Sequence, residues 1–190
     1  MLVLALATAA PAAFPVSSVP LTAPTPEAFL PPGWALVDFE VGDLTGDGVP
    51  DHVFLLEPEC ASCEADKGAR ALLVIESFGS GWMRVGVADW GDASMVARVD
   101  SGQLVVTTGR TSTQSERSEV AKFVLERGRF QLVWRVVSSR EEGIDGPIAE
   151  RITEDWKLHE RVVERGTPLS FHHKETFTGS RSLEETPSGR

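Results

Sequence analysis

The chain has 190 residues and carries 28 Asp and Glu against 18 Lys and Arg, which gives a formal net charge of -10 at pH 7. Binding to phosphates requires the opposite sign of charge, so this composition argues against nucleic acid and anionic membrane surfaces as partners. The length suits one domain with a buried core and is too short for two domains of ordinary size.

The N-terminal region begins with an uncharged apolar run, MLVLALATAA, which small residues follow. We predict that residues 1–12 are a secretory signal and that the protein is secreted or periplasmic. A disordered Ala/Pro-rich tail is the alternative. No transmembrane span is expected, because the run reaches Pro11 well short of the roughly 20 residues that a membrane-spanning helix needs.

Residues 13–32 are rich in proline, and we predict an extended linker there. One helical turn is expected in TPEAFL, with Thr25 as its N-cap and Pro26 at its first position.

From Trp34 onward, β-branched and aromatic residues alternate with polar ones between Gly-containing turns. This pattern predicts a single all-β domain over residues 33–178, followed by a polar tail over residues 179–190. Three antiparallel hairpins are expected at Phe78-Gly79-Ser80, Asp100-Ser101-Gly102 and Arg127-Gly128. A fourth is expected from DWKLHERVVE to LSFHHKETF, and the Ser/Thr-rich residues 108–119 are expected to form a loop.

An acidic loop precedes one of the most apolar segments, in GDLTGDGVPDHVFLL. Calcium takes six to eight oxygen ligands, which a tight loop supplies from alternate positions. Here Asp43, Thr45, Asp47 and Asp51 fall at positions one, three, five and nine, and the Val49 carbonyl falls at position seven. We therefore predict a weak Ca²⁺ site. The alternative is an ordinary turn in which the carboxylates accept backbone hydrogen bonds.

An EF-hand is a poor match, because Phe54 stands at position twelve, where that motif has Glu, and a strand follows instead of a helix. The loop resembles the calcium loop of FG-GAP or VCBS-type repeats, which occur in integrin alpha-chain propeller blades and bacterial secreted proteins. The resemblance covers residues 34–88, and the overall layout resembles small secreted bacterial proteins with a single repeat of this type.

This resemblance implies that the side chains of Asp43, Asp47 and Asp51 and the carbonyl of Val49 are ligands. Thr45 stands where the family usually has Asp or Asn, and a neutral hydroxyl weakens the site. Closed propellers need about four to eight four-stranded blades, more than this chain can supply. We therefore expect antiparallel blade-like hairpins that form a curved sheet or a two-sheet sandwich.

Cys60 and Cys63 form the only cysteine pair in the sequence. In an exported protein this pair indicates a disulfide. Free or redox-active thiols and a zinc site are the alternatives, although acidic neighbours make a thiol less reactive.

These features favour a secreted or periplasmic calcium-binding β module with a structural or binding role and an unknown protein or glycan partner. One alternative is an envelope-associated hydrolase acting on glycans. It requires a cleft with two carboxyl groups about 5 to 9.5 Å apart, one of them with a raised pKa. The other alternative is thiol redox activity through Cys60 and Cys63, which requires both to be exposed.

Overall fold

A computed structural model describes residues 14–59, 70–91, 94–113, 115–143, 146–166 and 169–177. The chain forms two short 3-10 helices, Val16–Ser18 and Pro26–Phe29, and twelve strands in this part. The strands are β1 Thr22–Ala23, β2 Trp34–Gly42, β3 Asp51–Pro58, β4 Arg70–Phe78, β5 Gly81–Gly91, β6 Ser94–Asp100, β7 Gln103–Thr111, β8 Ser115–Glu126, β9 Arg129–Gly143, β10 Gly146–Asp155, β11 Glu160–Gly166 and β12 Leu169–Thr176.

The strands form two antiparallel sheets. Sheet A has the order β1-β5-β4-β3-β2, and sheet B has the order β12-β11-β10-β9-β8-β7-β6. Most neighbours in a sheet are also consecutive in sequence, so short turns build nearly the whole topology. The predicted all-β fold is confirmed, and of the two expected arrangements, a curved sheet or a two-sheet sandwich, the structure has the two sheets.

The inner core lies between the two sheets and draws side chains from both, such as Val53 and Leu72 from sheet A and Leu104 and Phe123 from sheet B. A second cluster lies on the opposite face of sheet A, where Phe54, Leu56 and Leu73 are buried. Strand β4 supplies residues to both clusters, which explains why its sequence, ALLVI, is apolar without alternation. We call the second set the outer cluster.

The N-terminal segment, residues 14–32, covers the outer cluster. Its side chains Phe14, Val19 and Phe29 are buried there, and the rings of Phe14 and Trp34 lie 4.8 Å apart. Strand β1 pairs with β5, and Arg84 donates to the Val16 and Val19 carbonyls at 2.9 and 2.8 Å.

The linker prediction for residues 13–32 is therefore wrong in its described part. These apolar side chains cover a face of sheet A that would otherwise be exposed to water. The expected helical turn is present at Pro26–Phe29, with Thr25 at the N-cap but without a side-chain capping bond.

All four expected hairpins are present, the fourth as β11 paired with β12, but two polar segments differ from expectation. Residues 108–119 contribute to the long strands β7 and β8 instead of forming a loop. DWKLHERVVE is not one strand, because a turn follows Asp155, whose Oδ1 accepts hydrogen bonds from the Lys157 and Leu158 amides at 3.0 Å each. The preceding strand β10 was not expected from the sequence.

Candidate functional site

The acidic loop, residues 43–50, joins β2 to β3 at one end of sheet A. Gly46 and Gly48 have φ angles of +80° and +83°, a conformation that favours glycine, and each faces open space. The two glycines allow the loop to bring its backbone amides round its own carboxylates.

Asp43 and Asp47 hold the loop through its backbone. The Gly46 N–H donates to Asp43 Oδ1 at 2.6 Å and the Gly48 N–H donates to Oδ2 at 2.9 Å. The bonds from Gly48 and Gly46 hold the pKa of Asp43 below its ordinary value. The Val49 N–H donates to Asp47 Oδ1 at 2.8 Å. Both residues thus make the contacts that an Asp-rich turn makes without any ligand.

Asp51 differs, because its side chain is only 1% exposed. Its Oδ2 accepts hydrogen bonds from the Leu44 amide at 2.8 Å and the Thr45 amide at 3.1 Å. Its Oδ1 has no hydrogen-bond partner in the described part of the chain. Such an oxygen is unfavourable unless a donor or a cation satisfies it.

Burial raises the pKa of Asp51, and the negative charge of Asp47 raises it further, against the lowering effect of the Leu44 and Thr45 amides. The Ser77 amide also lowers this pKa, but it makes no hydrogen bond of normal geometry to Oδ1. The carboxylate is therefore desolvated and incompletely satisfied.

Glu76 is a further carboxylate that the loop motif does not contain. His52 pairs with Ile75 across β3 and β4, so the next residues along, Asp51 and Glu76, are cross-strand neighbours on the same face. Burial raises the pKa of Glu76 first, and the charges of Asp51 and Asp47 add to the increase. The spacing of residues within the loop does not point to Glu76. It is identified from the pairing of β3 with β4.

His52 lies on the other face of β3, since successive side chains of a strand alternate. Its ring lies 4.4 Å from that of Trp82 and 5.9 Å from that of Phe54. Burial lowers its pKa. His52 therefore packs against aromatic rings and does not join the acidic loop.

The predicted ligand set is hard oxygen throughout, as Ca²⁺ prefers: three carboxylates, the Thr45 hydroxyl and the Val49 carbonyl. Thr45 Oγ1 donates to Asp43 Oδ1 at 3.4 Å, so the first and third positions are adjacent. Among the described residues, however, no three His, Cys, Asp or Glu side chains converge as a metal-binding group. The oxygen donors are thus of the type that Ca²⁺ prefers, and the Asp51 Oδ1 atom lacks a hydrogen-bond partner among the described residues.

Sheet B carries a polar groove of about 350 Å³ on the same face as its inner-core side chains. The groove is lined partly by Arg110, Arg117, Glu141 and Glu150. Next to it, carboxylates and guanidinium groups alternate across β8 to β12. The ion-pair distances along this row are 3.7 Å for Glu119–Arg135, 2.9 Å for Arg135–Glu154, 3.6 Å for Glu154–Arg161 and 3.2 Å for Arg161–Glu175.

Glycan hydrolysis needs a cleft that contains a carboxyl group with a raised pKa. In the described part of the chain, the carboxyl groups with raised pKa are Asp51 and Glu76, which lie at the acidic loop and not in this groove.

The tryptophans whose side chains the structure describes do not form a common platform for a sugar. Trp34 and Trp82 belong to the outer cluster, whereas Trp156 packs against the inner core. Lys122 lies 5.3 Å from the ring of Trp134. The signal segment, the polar tail, Cys60 and Cys63 lie outside the described residues.

Comparison with known protein families, curated proteins and solved structures gives no match. No helix in the ranges that the structure describes is long and apolar enough to cross a membrane.

Proposed function

We propose that the protein is a secreted or periplasmic β-sandwich module that Ca²⁺ stabilises at the loop between β2 and β3, and that it acts as a structural or binding protein. The observation that carries this proposal is the Asp51 Oδ1 atom, which lacks a partner on a side chain that is 1% exposed. A cation is the group that an isolated, desolvated carboxylate oxygen attracts most strongly.

The side chains of Asp43, Thr45, Asp47 and Asp51 and the carbonyl of Val49 would hold the ion. When bound, Ca²⁺ would supply positive charge that neutralises the carboxylates and links the end of β2 to the start of β3. For this, Asp43 and Asp47 would exchange some of their present backbone hydrogen bonds for the ion. The neutral Thr45 hydroxyl and the cost of this exchange both favour weak binding.

The expected stabilisation is modest. Calcium modules outside the cell bind with dissociation constants of about 10⁻⁴ to 10⁻³ M. At ten times its dissociation constant the ion adds about 1.4 kcal/mol. For a domain of this size that corresponds to a rise of roughly 3 to 6 °C in melting temperature.

Thermal unfolding in excess EDTA and then in millimolar Ca²⁺ tests the proposal. We expect the wild type to melt higher with calcium and Asp47→Ala to lose the shift. Asp38→Ala is the matched control, because Asp38 is an exposed carboxylate on β2 whose one hydrogen bond among the described residues comes from its neighbour, the Phe39 amide. If calcium does not change the melting temperature of the wild type, the loop is an ordinary turn and the proposal is wrong.

A further inference from the structure

Strand β2 lies at the edge of sheet A and pairs only with β3 in the described part of the chain. It is nine residues long, Trp34–Gly42. The outer side of an edge strand presents N–H and C=O groups that another strand can bind. β2 therefore has the backbone of a strand-addition site, and its side chains determine which strand fits.

One face of β2 carries exposed apolar side chains. Leu36, Phe39 and Val41 lie opposite Leu56, Phe54 and His52 of β3, on the side of the outer cluster. Phe39 is 57% exposed and Val41 is 45% exposed. These side chains continue the apolar surface of sheet A beyond its last strand, where water now covers them.

The other face of β2 is acidic. Asp38 and Glu40 lie opposite Leu55 and Val53, because a bulge between Leu36 and Asp38 resets the alternation. Neither carboxylate has a cationic partner among the described residues. A strand added beside β2 would therefore meet apolar side chains on one face and negative charge on the other.

This pattern selects among the occupants of the edge. A second copy of the chain would place Asp38 and Glu40 against the same carboxylates, and two molecules of net charge -10 repel each other. A segment that alternates apolar residues with Lys or Arg would bury the apolar row and pair the carboxylates.

We propose that the β2 edge is a docking site for an extended peptide segment whose side chains alternate between apolar and basic, added antiparallel or parallel to β2 as an extra strand of sheet A. The inference names a partner class for the binding role proposed above and rests on that role, but it does not depend on the metal.

The probe for this site is a fluorescently labelled ten-residue peptide that alternates Val and Lys, with a Val/Glu peptide of the same length as its control. We expect the Val/Lys peptide to bind the protein, the Val/Glu peptide not to bind, and binding to weaken at about 0.5 M salt because the charges are exposed. Hydrogen exchange should show new amide protection in β2.

Two phenylalanines provide matched variants. Phe39 on β2 is 57% exposed, and Phe78, the last residue of β4, is 61% exposed. Phe39→Ser should weaken binding of the peptide about tenfold, the equivalent of losing about 1.4 kcal/mol of apolar contact. Phe78→Ser should change it less than about twofold. Glu40→Lys should also weaken it, through the reversed charge.

Equal effects of the two serine variants, or protection on strands other than β2, would overturn the proposal. So would concentration-dependent self-association that Phe39→Ser abolishes, because the occupant would then be a second copy. If the peptide binds but calcium does not change the melting temperature, the metal proposal is rejected and the docking proposal stands. A calcium-dependent shift without peptide binding would do the reverse.

Discussion

Replacement of Asp51 tests how the buried carboxylate stabilises the loop. Asp51→Ala removes the acceptor of two backbone amides, those of Leu44 at 2.8 Å and Thr45 at 3.1 Å. Asp51→Asn keeps an oxygen that accepts both, removes the negative charge and places an NH₂ group where Oδ1 was. The pair of variants therefore separates the hydrogen bonds from the charge.

The magnitudes follow from burial. Leu44 is 5% exposed, so its amide cannot turn to water, and a buried donor left without a partner costs about 1 to 3 kcal/mol. Thr45 is exposed, so loss of its bond costs about 0.5 to 1 kcal/mol. We expect Asp51→Ala to lose about 1.5 to 4 kcal/mol of stability and Asp51→Asn to lose less than about 1 kcal/mol in EDTA.

Urea unfolding, followed by tryptophan fluorescence, measures both values, and repeating it in millimolar Ca²⁺ adds a second test. If the loop binds the ion, the difference between wild type and Asp51→Asn widens by about 1.4 kcal/mol at ten times the dissociation constant. Equal losses for Ala and Asn in EDTA would refute the hydrogen-bond argument. A difference between wild type and Asp51→Asn that calcium leaves unchanged would refute the role of Asp51 as a ligand.

Three further predictions concern packing next to the acidic loop and in the outer cluster. Gly42→Ala should cost about 1 to 3 kcal/mol in urea unfolding, because a Cβ there would lie 2.5 Å from Val99 Cγ1 of sheet B. Val99→Ala in the same chain should recover part of that loss, and no recovery would place the strain elsewhere. Phe29→Ala should cost about 3 to 5 kcal/mol, since the ring is fully buried. A loss below about 1 kcal/mol would mean that residues 14–32 do not form part of the fold. Burial holds the pKa of His52 below its ordinary 6.5, so the unfolded chain takes up the proton first. The stability that neutral His52 contributes is therefore present above about pH 6.5 and is lost as the pH falls. The free energy of unfolding should drop more between about pH 7.5 and 5.5 in wild type than in His52→Leu, and parallel curves would contradict the assignment.

The sequence predicted the hairpins best where local chemistry sets the turn. Ser101-Gly102 has φ angles of 52° and 74°, and Arg127-Gly128 has 54° and 74°. Both central residues are left-handed, as tight hairpin turns require, and an X-Gly pair between alternating strands signals this directly. Register, and with it the assignment of side chains to the inner core, then follows from the turn.

The elements that sequence reasoning missed lack a hydrophobic period. Strand β10 and the outer parts of β7 and β8 are mostly polar, and partners along the sheet hold them instead of a core. Glu154 illustrates this: it lies near the C-terminal end of β10 and is 7% exposed, and Arg135 of β9 pairs with it at 2.9 Å. The linker prediction failed for another reason. Phe14, Val19 and Phe29 reach one surface through irregular backbone, so they have no regular spacing that a sequence pattern could reveal.

The acidic loop shows why ligand spacing alone leaves occupancy open. The Asp43 and Asp47 oxygens that we propose as ion ligands accept hydrogen bonds from the loop's own amides. These hydrogen bonds and a bound ion would each satisfy the two residues, so the ligand spacing does not distinguish between them. Asp51 is different, since burial from the inner core leaves Oδ1 without such an alternative and Glu76 adds negative charge beside it. We therefore expect the choice between an ordinary turn and an ion site to depend on the burial of Asp51 and on the neighbouring strand β4, and the loop's own sequence specifies neither.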